Sequence, residues 1–188
     1  MDTRTTTKRI VVHHSASPAN TTRDQVDQWH RNRGFTMIGY HKLIEQNGAV
    51  KEGRPEWSVG AHAIGANGDS IGICLAGNFE EAPPTESQIV ALVSTIKDIR
   101  NKYGNIPIIG HSKVDPVNHP TACPGALFPW DDLRQRLEGK VLEVKTVKEA
   151  VAVLRAQGAI NSPEYWEKAA ECVKYLDTLL IYFAKRLQ

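Results

Sequence analysis

Cysteine is scarce in this chain. Cys74, Cys123 and Cys172 are the three among 188 residues, an odd and widely spaced set that argues against a disulfide framework and fits a reducing compartment. Long apolar runs are also missing. LLIYFA (179–184) is far too short to span a bilayer, and the opening MDTRTTTKR has none of the apolar core of a signal peptide. Charge of one sign is absent as well: the formal net charge is +2, with no cluster of Lys and Arg that would argue for a nucleic-acid partner. No internal repeat or low-complexity tract interrupts the chain. What remains, 41% hydrophobic and 23% charged residues, describes a globular protein with one good core and room for a small appendage.

The pattern of elements points to an α/β architecture. Ile10, Val11 and Val12 in RIVVHHSAS (9–17) read as a buried strand. Thr22 and Gln25 have capping-box spacing for a helix with Val26, Trp29 and His30 on one face, stopped by Gly34. GYHKLI (39–44), EQNG and AVKEG predict a hairpin. Residues 53–70 read as a long loop, a feature that is usually functional inside a compact domain. SIGICLAGNF (70–79) and IPIIGH (106–111) read as strands. They flank a helix capped by Thr85 and Gln88 and ended by Gly104, with Ile89, Leu92, Ile96, Ile99 and Tyr103 as its buried stripe. A short helix is expected from about Pro129 to Leu137. Strands alternating with helices imply a sheet with helices on both faces.

The composition then shifts. EGKVLEVKT (138–146) reads as a linker, Thr146 and Glu149 as a capping box for a helix ended by Gly158, and Pro163 as the first position of a last helix. That helix carries Trp166, Ala170, Val173, Leu176, Leu180, Phe183 and Leu187 at helical spacing. These divisions suggest a catalytic domain over 1–139 and a C-terminal helical module over 140–188.

Chemistry gathers at two strand ends. The first strand leads into His13 and His14, and the strand at 106–109 leads through Gly110 to His111. Ligands of open α/β sheets collect outside the carboxyl ends of strands, so parallel strands here place His13 and His111 on one rim. Cys123, in the restrained loop TACPG (121–125), can fold back over it. Two imidazoles and a thiolate fill three positions of a tetrahedral zinc site and leave the fourth for water. The spacing alone leaves open a hydrogen-bonded histidine or a small buried cysteine.

The blocks VVHHSAS, GYHKLI, VGAH, NGDSIGICLAGNF, IIGHSKVD and TACPG resemble, in order and spacing, the zinc-dependent N-acetylmuramoyl-L-alanine amidases. That family joins amidase-type phage endolysins to animal peptidoglycan recognition proteins, and the resemblance covers roughly residues 8–137. It implies a central mixed β-sheet flanked by helices, one zinc ion at the bottom of a peptidoglycan-binding groove, and cleavage of the amide between the lactyl group of N-acetylmuramic acid and L-alanine of the stem peptide. It implies His13, His111 and Cys123 as zinc ligands, with His14 a neighbour, and Tyr40 as a catalytic hydrogen-bond donor to the scissile carbonyl or the attacking hydroxide. His41 would line the groove beside Tyr40, and Trp57 and His62, with Arg54 and Asn67 as polar partners, are candidates for holding sugar and peptide. Thr121 stands where many amidase-type endolysins carry lysine, so a neutral hydrogen bond replaces a cation there. Cys74 stands where some intracellular relatives carry glutamate, which leaves no obvious carboxylate base and puts activation of water mainly on the metal.

Two other functions compete with this reading: a non-catalytic peptidoglycan-binding module, and a thiol hydrolase with Cys123 activated by His111. The tail, similar to short tails of some prophage amidases, is expected to serve wall targeting or self-association, with a helical brace as the plainer alternative. The apolar character of LLIYFAKRL around more than one face suggests burial on two sides. An endolysin without a signal peptide is expected to wait in the cytoplasm until host lysis machinery releases it onto the wall.

Overall fold

In this computed structural model the described residues are 1–138, 146–156, 158–172 and 176–186. The β-branched run at Ile10–Val12 extends at both ends into strand β1 (Arg9–His14), which is buried in the middle of a five-stranded sheet. β1 pairs in parallel with β4 (Ser70–Leu75) on one side and with β5 (Ile108–Gly110) on the other. β2 (Lys42–Ile44) runs parallel to β4, and β3 (Val50–Glu52) closes the edge antiparallel to β2, giving the order β3-β2-β4-β1-β5. The sheet is therefore mixed, with helices against both faces.

The strands differ from the sequence expectation in length: β2 and β5 keep only three residues each of GYHKLI and IPIIGH, and β1 and β4 change as well. β1 runs on through both histidines because β4 offers backbone partners as far as Leu75 opposite His14. β4 stops at Leu75 rather than Phe79, since Gly77 turns the chain at φ +133° and donates its amide to the Ser15 hydroxyl.

Strand alternation sorts the side chains into two faces. Ile10, Val12, Ile71, Ile73 and Leu75 join Ile89, Leu92, Ile96 and Ile99 of α2 (Glu86–Tyr103) in the main core. α3 (Trp130–Leu137) adds Leu133 to it. On the opposite face Cys74 packs with Leu43, Ile38 and Val26 of α1 (Arg23–Asn32), and Val11 packs with Ala63 and Ala66 of the 53–69 loop. Both long helices start at the expected capping boxes, Thr22 with Gln25 and Thr85 with Gln88. Complete burial of a core Leu or Ile contributes about 1.5–3 kcal/mol, so the α2 stripe is a principal source of stability.

The C-terminal helices are α4 (Val147–Ala156), α5 (Pro163–Cys172) and α6 (Leu176–Arg186). Ala150, Val151, Val153 and Leu154 of α4 pack with Leu180 and Ala184 of α6, and Val90 of α2 lies against this cluster. Within the chain α6 is covered along one side by α4 and α5, and Leu179, Tyr182 and Phe183 are about half exposed. Most of the expected linker, together with Val173 and Leu187, lies outside the described residues. Among the described residues no helix is long and apolar enough to cross a membrane.

Candidate functional site

His13 and His14 leave β1 on opposite faces, and that separates their roles. His14 points toward the main core, where its Nδ1 accepts the Phe79 amide at 3.0 Å and its ring lies against Phe79. It latches the loop after β4. His13 points to the other face, opposite Cys74 in the register. His111 follows β5 directly, at the start of a 3-10 turn (His111–Lys113), and its ring centroid lies 4.6 Å from that of His13.

Cys123 is folded back onto this point by its own loop. Its carbonyl accepts the Ser112 amide at 2.8 Å, and its amide donates to Thr121 Oγ1 at 3.2 Å. Its sulfur accepts the His14 amide at 3.4 Å and lies 3.7 Å from His13 Nδ1. One donor atom from each of His13, His111 and Cys123 thus lies within 4.8 Å of the others. A tetrahedral zinc with bonds of about 2.0–2.3 Å separates its ligand atoms by roughly 3.3–3.6 Å, so the span suits one ion after small adjustments.

The electrostatics suit a cation as well. Burial, followed by the neighbouring His62, His111 and His14, pushes His13 well below the ordinary histidine range. Burial and His14 lower His111. Burial pushes the Cys123 thiol up to about 12, against the opposing His14 amide. Without an ion these are two neutral imidazoles and a thiol, and a divalent cation supplies the charge that converts the thiol to thiolate.

Tyr40 stands beside this cluster, its ring centroid 5.1 Å from that of His13. Burial and the neighbouring Cys74 thiol raise its pKa well above the ordinary value, so it stays a protonated phenol and a hydrogen-bond donor. Its loop is tied to α1 at two points: the Ile38 amide donates to Asp27 Oδ1 at 2.5 Å, and the Gly39 amide to His30 Nδ1 at 2.8 Å. Asp27 and His30 are positioning residues that motif reading missed. The one available signal was the placement of His30 on the buried face of α1.

The remaining candidates separate by burial. Trp57 is 54% exposed, and its carbonyl accepts the Arg4 amide. Arg54 is buried and donates to the carbonyls of Ile38 and Val59, so it braces the loop from within. Asn67 Oδ1 accepts the amides of His62 and Ala63. His41 has no exposed surface; its Nδ1 accepts the Gly72 amide and its Nε2 donates to the Ser58 carbonyl. The expectation that His41 lines a groove is corrected by this: the turn into β2 directs it inward, onto the backbone of β4. His62 is also buried, with its Nδ1 3.0 Å from His13 Nε2.

Comparison with known proteins identifies the segment that carries these residues. The family model described as N-acetylmuramoyl-L-alanine amidase matches residues 3–126. The endolysin of Enterobacteria phage T3 is 37% identical over 128 residues, covering 64% of this chain and 82% of that one. Among solved structures, the N-acetylmuramoyl-L-alanine amidase LysC from Clostridium intestinale URNW superposes with a TM-score of 0.65 at 37% identity, over 70% of this chain and 85% of that one. Drosophila peptidoglycan recognition protein SD superposes with a TM-score of 0.63 at 28% identity, over 72% and 84%. The matched segment contains every residue of the converging cluster, and by sequence and fold together the chain belongs to the N-acetylmuramoyl-L-alanine amidase family.

Proposed function

We propose that this protein is an endolysin-type peptidoglycan hydrolase that cleaves the amide between the lactyl group of N-acetylmuramic acid and L-alanine of the stem peptide. The observation that carries this reading is the convergence of His13, His111 and Cys123 beside the protonated phenol of Tyr40. The donor set, two imidazoles and one thiol with a fourth position open, matches catalytic zinc. His13 through Nδ1, His111 and Cys123 would hold the ion. When bound, zinc supplies Lewis-acid polarisation of the amide carbonyl and a nucleophile drawn from water near neutral pH.

The chain's own residues do the rest. Tyr40 donates its phenolic proton in a hydrogen bond to the carbonyl oxygen, where negative charge develops. The His14 amide holds the Cys123 sulfur. Thr121 accepts the Cys123 amide, which leaves its own hydroxyl proton to donate toward substrate. Trp57, exposed on the loop that also carries Arg54, His62 and Asn67, offers a flat apolar face to a sugar ring.

Residues 1–139 are taken as the catalytic unit and 140–188 as an ancillary one. This division is supported by the location of all the site residues before Pro124 and by the packing of α4 on α2, which lies against the sheet face opposite His13. Release from the cytoplasm by host lysis machinery would bring the enzyme to its wall substrate. The test is zinc content and release of L-alanyl peptides from purified peptidoglycan, for wild type and Cys123→Ser. The expected result is about one zinc per chain and cleavage in wild type, with both lost in the variant. Wall binding by a metal-free wild type that cleaves nothing identifies a recognition module instead. Deletion of 140–188 is expected to leave zinc uptake intact.

A further inference from the structure

His62 occupies a place that no substrate contact explains. It is 9% exposed and its ring faces inward. Both ring nitrogens are engaged, Nδ1 with His13 Nε2 at 3.0 Å and Nε2 with Ser70 Oγ at 3.4 Å. The backbone makes room for this ring at two points. A Cβ at Gly72, in the middle of β4, would come within 2.5 Å of His62 Cδ2 and Cγ, and a Cβ at Gly60 within 2.5 Å of Cδ2. The imidazole therefore lies in a slot between the two glycine backbones. Asn67 Oδ1 holds its loop by accepting the His62 amide at 2.8 Å and the Ala63 amide at 2.9 Å.

The direction of the hydrogen bonds follows from one fixed donor. The Ser70 hydroxyl has a single proton, and it goes to the Ala66 carbonyl at 2.6 Å. Ser70 Oγ is then an acceptor toward His62, so His62 Nε2 carries the hydrogen. A neutral imidazole has one N–H and one lone pair, which leaves His62 Nδ1 as an acceptor. His13 Nε2 must then carry the hydrogen that this acceptor receives, and His13 Nδ1 is left with a free lone pair. That nitrogen is the one 3.7 Å from Cys123 Sγ. The opposite order would leave His62 Nε2 facing a hydroxyl oxygen whose proton is already committed, and would turn an N–H of His13 into the donor cluster.

We propose that His62 is a positioning residue for the metal site: the chain Ala66 carbonyl, Ser70 hydroxyl, His62, His13 fixes His13 as its Nε2–H tautomer and aims the Nδ1 lone pair at the ion. This rests on the reading of His13, His111 and Cys123 as metal ligands. Partners that orient a ligand histidine typically change metal affinity by about 10–100-fold, and His62 acts in that way without touching the ion or the scissile bond.

The test has two readouts on the full chain. In metal-free wild type, nitrogen-15 NMR of the histidine side chains is expected to find His13 protonated at Nε2, a measurement that needs no metal and that loss of packing alone would not set. Zinc affinity, measured by competition with a chelator, is expected to fall about 10–100-fold in His62→Leu. It should stay close to wild type in His62→Asn, whose Oδ1 takes the place of the Nδ1 acceptor. Ser70→Ala gives a variant that leaves the ring in place and is expected to yield a mixture of His13 tautomers. His13 protonated at Nδ1 in wild type would overturn the proposal, as would equal zinc affinity in a folded His62→Leu. A wild type that takes up no zinc at all overturns the metal reading on which the relay depends; it is told apart from a failed relay by the tautomer, which is read without metal.

Discussion

Alanine in place of glycine inside a strand ordinarily stabilises by about 0.5–1 kcal/mol, because glycine loses more backbone entropy on folding. At Gly72 the sign is expected to reverse. The new methyl would meet His62 Cδ2 and Cγ at 2.5 Å and Nδ1 at 2.7 Å, against an ordinary contact of 3.4 Å or more, so the ring must move by about 1 Å. Its escape is limited on the other flank by the Gly60 backbone, and the Gly72 amide and carbonyl are held by His41 Nδ1 at 3.0 Å and the His41 amide at 2.9 Å. Overpacking of this kind costs about 1–3 kcal/mol, and subtracting the entropic gain leaves a net loss of up to about 2.5 kcal/mol. For a chain of this size that is a fall in Tm of up to about 10 °C, read by thermal unfolding of the chelator-treated protein. Gly68→Ala is the control: nothing lies within 4 Å of its would-be Cβ, so it should be neutral or slightly stabilising. The same 1 Å displacement stretches the 3.0 Å contact between His62 and His13, so zinc affinity should fall with stability. A Gly72→Ala protein as stable as Gly68→Ala, with wild-type zinc affinity, would refute the claim that the imidazole is clasped between these backbones.

Tyr40→Phe is expected to keep zinc and fold while lowering kcat about 10²–10³-fold; unchanged kcat on purified peptidoglycan would remove the phenol from the chemistry. Thr121→Lys should be tolerated, because Thr121 is half-buried at the loop rather than in the core; complete loss of activity in a folded, zinc-loaded variant contradicts this. The buried His41, pushed down to about 4 by burial, makes stability depend on pH. The unfolded chain takes up the His41 proton first, near 6.5. Its contribution is therefore complete above that value and is lost as pH falls toward 4. Between pH 7 and pH 5 the loss is about 2 kcal/mol, read as a lower urea midpoint; an equally steep decline in His41→Asn would mean that other groups cause it.

The order of strands and helices was legible in the sequence because it depends on local rules. Capping boxes at Thr22 and Thr85 act over three residues, and the period of the apolar stripe in α2 is a property of one helix. The donor set was legible through motif resemblance, and His13 and His111 through their position at strand ends. Two things escaped a linear reading. His41 and His62 look like groove residues in a string, His41 as the neighbour of Tyr40 and His62 as a member of the long loop. The burial of His41 follows from the turn into β2, and that of His62 from the inward turn of the loop onto the face of β4 where Gly72 leaves a gap, beside His13 of β1, which lies 49 positions away in the chain. The C-terminal helices were visible as helices, but which stripe of α6 would be covered depended on how α4 packs against α2.

What the sequence by itself determined is the chemistry available: two imidazoles, one thiol and one phenol in segments whose local patterns make strands, turns and a restrained loop. What only the tertiary structure decided is which nitrogen faces which atom. The parallel pairing of β1 with β4 and β5 brings residues a hundred positions apart to one point. Alternation along β1 sends His13 to the donor cluster and His14 to the core. The proton order through Ser70, His62 and His13 has no counterpart in any spacing of letters, because hydrogen bonds act over about 3 Å in space and are blind to separation along the chain.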